Sequence, residues 1–145
     1  MSVSLHELLT RRPLVADGAM GTALRERLGH GHKGENLELL NLDAPDLVRA
    51  IHDSYVAVGA DVLQANTYGA NALQLSRLGH ENRVGPINAA GVALARKAAR
   101  GADRPVLVAG SVGPLGALRY DHDVMRTDAI AAVSYTHLTL PTILR

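Results

Sequence analysis

Gly59-Ala60-Asp61-Val62-Leu63-Gln64-Ala65-Asn66-Thr67-Tyr68-Gly69-Ala70-Asn71 decides how the chain is read. Asp61 to Ala65 is a short, largely apolar run, and a polar, glycine-bearing turn follows it at once. A strand covered on both faces belongs in a parallel sheet flanked by helices, and such sheets collect their chemistry on the turns at the carboxyl ends of the strands. The same grammar recurs on either side. Pro13-Leu14-Val15-Ala16 runs into Asp17 and Gly18-Ala19-Met20-Gly21-Thr22, and Val106-Leu107-Val108-Ala109 runs into Gly110-Ser111-Val112-Gly113-Pro114-Leu115-Gly116. The spacing predicts helices over 19–28, closed by Gly29, and over 46–58, closed by Gly59. The second has Asp43 or Ala44 as its cap, Pro45 in its first turn, and Leu47, Ile51, Tyr55 and Val58 on one face. A short helix over 72–78 stops at Gly79, and a longer one over 83–100 turns Ile87, Gly91, Leu94 and Ala98 inward. Glycine within a helix costs about 1 kcal/mol against alanine, so Gly91 marks a place of close packing. The segment from His30 to Asn36 reads as a loop. Strands alternating with helices give an α/β class and one domain.

Composition narrows the partners. Fifteen Lys plus Arg against 14 Asp plus Glu leave a net charge of +1, too weak a field to recommend nucleic acid or an anionic membrane. No apolar run approaches the about 20 residues of a bilayer span, and Met1–Thr10 lacks the basic and apolar regions of a secretory leader, so a soluble, cytoplasmic chain is expected. The chain has no cysteine, which excludes disulfides, zinc-thiolate sites and cysteine nucleophiles within it. Phenylalanine and tryptophan are also absent, so the core must be built from aliphatic side chains.

Asp17 is the one acid that emerges directly from a strand into a glycine turn. Its carboxylate suits an ammonium group, and the amides that follow, at a helix start, suit a carboxylate or phosphate; together they fit the two ends of an amino acid. The plainer alternative is that Asp17 caps the helix after it, and the residues alone do not choose. Asn66, Thr67, Tyr68 and Asn71 form a polar cluster that serves either a ligand or the loop's own backbone. Gly110, Gly113 and Gly116 are not spaced as a dinucleotide-binding turn, and Pro114 interrupts any run into a helix. His30 and His32 lack a third ligand and read as a solvated loop. His52 reads as packing or surface, and His6, His80 and His122 have no partner in the pattern.

Taken in order, the three turns resemble the homocysteine S-methyltransferase family, over about Leu8 to Ile130. Gly69-Ala70-Asn71, with Leu75-Ser76 and Leu78-Gly79 after it, is similar to bacterial members that join this module to a methylenetetrahydrofolate reductase domain. The resemblance implies a parallel (β/α)8 barrel that transfers a methyl group to the sulfur of homocysteine, giving methionine. It also implies a zinc ion, held by three cysteine thiolates, that binds the homocysteine sulfur and makes it a thiolate. Carried over residue by residue, Asp17 holds the amino group of homocysteine, the amides at Gly18 and Ala19 take its carboxylate, and Asn66 and Thr67 line the same pocket. The methyl donor stays open among betaine, S-methylmethionine and methyltetrahydrofolate.

Two departures bound the expectation. The family's zinc cysteines, a Gly-Gly-Cys-Cys among them, fall in later barrel strands, and a barrel takes about 250 residues and eight strands, of which three are counted here. Residues 1–132 therefore read as the amino-terminal part of the barrel. Residues 133–145, from Val133-Ser134-Tyr135-Thr136-His137-Leu138, follow an alanine-rich helix start at Asp128–Ala132 and back-translate into what resembles a transposase end and sequencing adapter; a genuine β-prone tail is the alternative. A three-unit fragment keeps open sheet edges, so the chain alone is expected to be aggregation-prone, without zinc and without methyltransferase activity. Two other classes stand beside the enzyme: a non-catalytic barrel that binds a small amino acid or phosphate, and an unstable fragment with no function of its own.

Overall fold

The computed structural model describes residues 4–29 and 36–114. The expected features at His30, His32, Gly116, His122, Asp128–Ala132 and 133–145 lie outside the described residues. The chain opens with α1 (Leu5–Arg11), α2 (Met20–Leu28), a 3-10 turn at Leu37–Leu39, and the single turn α3 (Leu40–Asp43). It continues with α4 (Pro45–Ala57), β1 (Val62–Gln64), α5 (Ala72–Ser76), a 3-10 turn at Glu81–Arg83, α6 (Val84–Arg100) and β2 (Leu107–Ala109). Among the described residues no helix is long and apolar enough to cross a membrane.

β1 and β2 pair in parallel, Val62 with Leu107, Leu63 with Val108 and Gln64 with Ala109. The strand expected at Pro13–Ala16 is reduced to one parallel bridge, Ala16 to Val62. It still docks in the right place. Val15 O accepts from Asp61 N at 2.7 Å and from Val62 N at 3.2 Å, and Asp17 N donates to Val62 O at 2.9 Å. Proline at 13 offers no N–H, and Val15 is 61% exposed, so only the inner end of the segment has a ladder to join. The lateral order is the order in sequence, with α-helical crossovers between neighbours, as in a small parallel sheet wound one way.

The helices cover that sheet much as the spacing predicts. α4 begins at Pro45 with Ala44 as its N-cap and no side-chain cap bond; Asp43 belongs to α3. Its buried face is Val48, Ile51 and His52. Val58, expected on the inner face, lies past the last helical turn and is 81% exposed. α4 and α6 pack on one another and on β1. Leu24, Leu37, Val48 and Ile51 form one aliphatic cluster, Ala60, Leu63, Ala98 and Val106 a second, and Ala70, Leu75 and Ile87 a third. α1 has no counterpart in the sequence reading, although Ser4 and Glu7 close a reciprocal capping box at its start, Glu7 N to Ser4 Oγ at 3.2 Å and Ser4 N to Glu7 Oε2 at 2.7 Å.

Two polar devices fix the frame. At the amino end of β1, the buried Asp61 accepts both Arg12 guanidinium nitrogens at 2.7 Å and Val15 N at 3.0 Å, with Arg104 Nη1 at 3.5 Å. Those donors hold its carboxyl well below the usual carboxylate range. In the interior, Asn41 Nδ2 donates to Asn66 O at 2.7 Å and to Ile87 O at 3.1 Å, which ties the end of β1 to α6. Gly91 is what allows this approach. A Cβ there would stand 2.7 Å from Asn41 Nδ2 and 3.1 Å from Asn66 O.

Candidate functional site

A cleft of about 560 Å³ opens at the carboxyl ends of the strands. Asp17, Gly18, Ala19 and the first turn of α2 line it together with Gln64, Asn66, Tyr68 and Ser111 from the turns after β1 and β2, and Glu38 and Arg25 complete the lining. The turns after all three strand segments therefore meet at one place.

Asp17 is positioned by the sheet itself. Its backbone N–H belongs to the ladder with Val62, and its side-chain Oδ2 accepts from Gln64 N at 2.9 Å. Its second oxygen, Oδ1, is buried and has no hydrogen-bond partner. Burial pushes the carboxyl's pKa up, and the Gln64 N–H only partly offsets this. The alternative of a helix cap fails on geometry: the N-cap of α2 is Ala19, with no side-chain cap bond. The first N–H groups of α2 have no intrahelical acceptor, and Met20 and Gly21 line the same cleft as Asp17. Gly18 is needed because a Cβ there would come within 2.9 Å of Tyr55 Oη from α4.

Asn66 and Thr67 are placed differently from Asp17. Asn66 lines the cleft, but its Nδ2 points into the interior, donating to Leu37 O and Asn41 Oδ1, both at 3.0 Å. Thr67 is fully buried and stands off the cleft wall. Its hydroxyl donates to Ser111 O at 2.8 Å and accepts from Ser111 N at 3.0 Å, stitching the β1 turn to the β2 turn. Asn71 serves the loop: Oδ1 accepts from Gln74 N at 2.9 Å and caps α5. Tyr68 is the exposed member of the cluster, at 57%.

Glu38 is a site residue that the sequence reading misses. It is only 9% exposed, and its Oε1 accepts from Gly69 N at 2.7 Å. The signal that could have found it is Asn36, two residues earlier, whose Oδ1 accepts from Glu38 N at 3.1 Å in a local Asx turn. His52 is fully buried with both ring nitrogens unpartnered, and burial takes its pKa down to about 4. Among the described residues no group of three His, Cys, Asp or Glu side chains could hold a metal ion. What the cleft offers is therefore a carboxylate with one unpartnered, buried oxygen in the same lining as the start of a helix, a pairing of groups that suits a small zwitterion.

Comparison with known proteins points to one family. The sequence model of the family described as homocysteine S-methyltransferase matches residues 14–140. Methionine synthase of Mycobacterium tuberculosis (strain ATCC 25618 / H37Rv) is 36% identical over 118 residues, which cover 76% of this chain and 10% of that protein. Methionine synthase of Mycobacterium leprae (strain TN) is 35% identical over 118 residues, with the same coverages. Among solved structures, the homocysteine methyltransferase MmuM from Escherichia coli in its metallated form superposes with a TM-score of 0.66 at 32% identity. That match covers 86% of this chain and 46% of the other. The chain thus spans a small part of the curated relatives and under half of the solved one.

Proposed function

Since the chain belongs to the homocysteine S-methyltransferase family, we propose that its parent protein is a (β/α)8 barrel that methylates homocysteine to methionine, and that the described residues recognise the amino-acid end of the substrate. The observation that carries this is the Oδ1 of Asp17, a carboxylate oxygen withdrawn from water at a strand end with nothing bonded to it. Such an oxygen is costly unless a cation completes it, and the substrate's ammonium is that cation. The substrate carboxylate then lies on the amides of Gly18, Ala19 and the first turn of α2. Asn66 and Thr67 shape the pocket through the backbone they hold. In the transfer itself the homocysteine thiol first gives up its proton, the resulting thiolate lone pair forms the sulfur–methyl bond, and the electron pair of the breaking donor–methyl bond leaves with the donor.

The zinc that the resemblance implies does not fit the residues present. The chain has no cysteine, and the described residues contain no alternative cluster of ligands. The chain's own part is to bind and orient the substrate so that its sulfur projects from the cleft.

Ligand-observed NMR with the parent protein tests the reading. L-homocysteine and L-methionine should bind and compete with one another, whereas N-acetyl-homocysteine, which has lost its positive charge, should not. If the acetylated compound binds equally well, or inorganic phosphate displaces the amino acid, the non-catalytic phosphate binder replaces this function.

A further inference from the structure

The geometry points to Glu38 as a positioning residue for the cleft: it clips the turn after β1 in place and so sets where Tyr68 stands in the cleft lining. The inference rests on the cleft being the homocysteine pocket. Three hydrogen bonds join the 3-10 turn at Leu37–Leu39 and its approach to the β1 turn. Glu38 Oε1 accepts from Gly69 N at 2.7 Å, Asn36 Nδ2 donates to Gly69 O at 3.0 Å, and Asn66 Nδ2 donates to Leu37 O at 3.0 Å. Both polar groups of Gly69 are therefore held by side chains from one neighbouring segment.

The fit is close enough that a side chain on Gly69 would push the clip aside. A Cβ there would lie 3.0 Å from Glu38 Oε2 and 3.1 Å from Asn36 Nδ2. On the other side of Tyr68, its carbonyl accepts from Gly113 N at 3.0 Å, and Gly113 packs directly against that same carbonyl. Tyr68 is thus strung between two fixed points while its side chain stays exposed on the cleft wall. A carboxylate accepting a backbone N–H makes a shorter and stronger bond than a neutral acceptor, which suits a clip on a turn without regular structure.

The test is a series of variants in the parent protein, read by L-homocysteine affinity and by backbone hydrogen exchange of the segment 66–71. Glu38→Ala removes the acceptor and should weaken binding about tenfold while speeding exchange of the segment. Glu38→Gln keeps a carbonyl oxygen for Gly69 N and should stay within about threefold of the parent chain. Asn36→Ala removes the second half of the clip without touching a charge. It should fall between the two, and it keeps the series readable if Glu38→Ala does not fold. Two results overturn the inference: Glu38→Gln losing as much affinity as Glu38→Ala, which would make Glu38 a charged ligand, or exchange of 66–71 unchanged in Glu38→Ala and Asn36→Ala. If the parent chain takes up no L-homocysteine while exchange still follows the series, the identity of the pocket is overturned and the clip is supported.

Discussion

Replacing Asp17 by asparagine separates the two things this residue could be doing. Asparagine keeps a carbonyl oxygen for the Gln64 N–H, the contact now made by Oδ2 at 2.9 Å, and it removes the charge from the buried, unpartnered side of the group. Stability should therefore not fall. The carboxyl's pKa is raised in the folded chain, so the folded state holds its proton more tightly than the unfolded one. Its contribution to stability is most favourable at low pH and is lost as pH rises through the raised value, which means the ionised form opposes folding at neutral pH. The Asp17→Asn variant has no such opposition, and its melting temperature should stay level or rise. Ligand affinity should move the other way. A hydrogen bond to a charged group is worth about 1.5–3 kcal/mol, and about 1.4 kcal/mol is tenfold, so L-homocysteine should bind about 10–100-fold more weakly. In the parent chain that affinity should also decline as acid protonates Asp17, beginning above the ordinary carboxylate range; in Asp17→Asn this decline should be gone. Calorimetric titration over a pH series, with a thermal melt of each sample, makes the measurement. A lowered melting temperature with unchanged affinity would show that the carboxylate serves the fold and would refute the reasoning.

Three further perturbations follow from the frame. Gly91→Ala gains about 1 kcal/mol of helix propensity but drives a methyl to 2.7 Å from Asn41 Nδ2, and overpacking of that kind costs about 1–3 kcal/mol, so a net loss near the Asn41–Asn66 bond should appear in urea titration. Asp61→Asn breaks the bidentate pair with Arg12 beneath β1 and should lower the urea midpoint in the same assay; an unchanged midpoint would make the clamp ornamental. Because Asp61's pKa is depressed, its stabilisation is present above the unfolded carboxylate value and is lost as pH falls below it. His52 acts earlier on the same acid side: its pKa drops from 6.5 to about 4 on folding, so the unfolded chain binds the extra proton and stability declines between those values as pH falls. That shift is worth about 3 kcal/mol, and His52→Leu should flatten the decline in a pH series of urea midpoints.

Much of the fold is legible in the sequence because its signals are local. Apolar runs ending in glycine turns locate β1 and β2, and helical spacing locates α2, α4 and α6 to within a residue or two at each end. The first strand is overestimated for a physical reason. An apolar run cannot report whether a neighbouring strand exists along its whole length, and at Pro13–Ala16 only the inner end has a partner. Val58 misleads in the same manner, since a face drawn by period continues past the point where the helix stops. The site is half legible. Asp17 stands out by residue type and place, whereas Asn66 and Thr67 have the right chemistry but direct it to Leu37, Asn41 and Ser111. Asn36 marks the turn that carries Glu38, but not its role, because the partner Gly69 lies 31 residues further on and offers only a backbone amide.

Asp17 and Asp61 show where such reading ends. Both are aspartates beside the same pair of parallel strand segments, Asp61 entering β1 and Asp17 leaving the segment that bridges it. Around Asp61 the fold supplies two arginines and an amide, and its carboxyl is pushed down. Around Asp17 it supplies one amide and burial, and the carboxyl is pushed up. A carboxylate satisfied by its own chain at the amino ends of the strands is part of the scaffold. One left unsatisfied at the carboxyl ends, beside a cleft, is what a ligand site would require. The number of donors that the fold brings to each oxygen is what separates the two, and it is the ground on which a ligand is proposed for Asp17 alone.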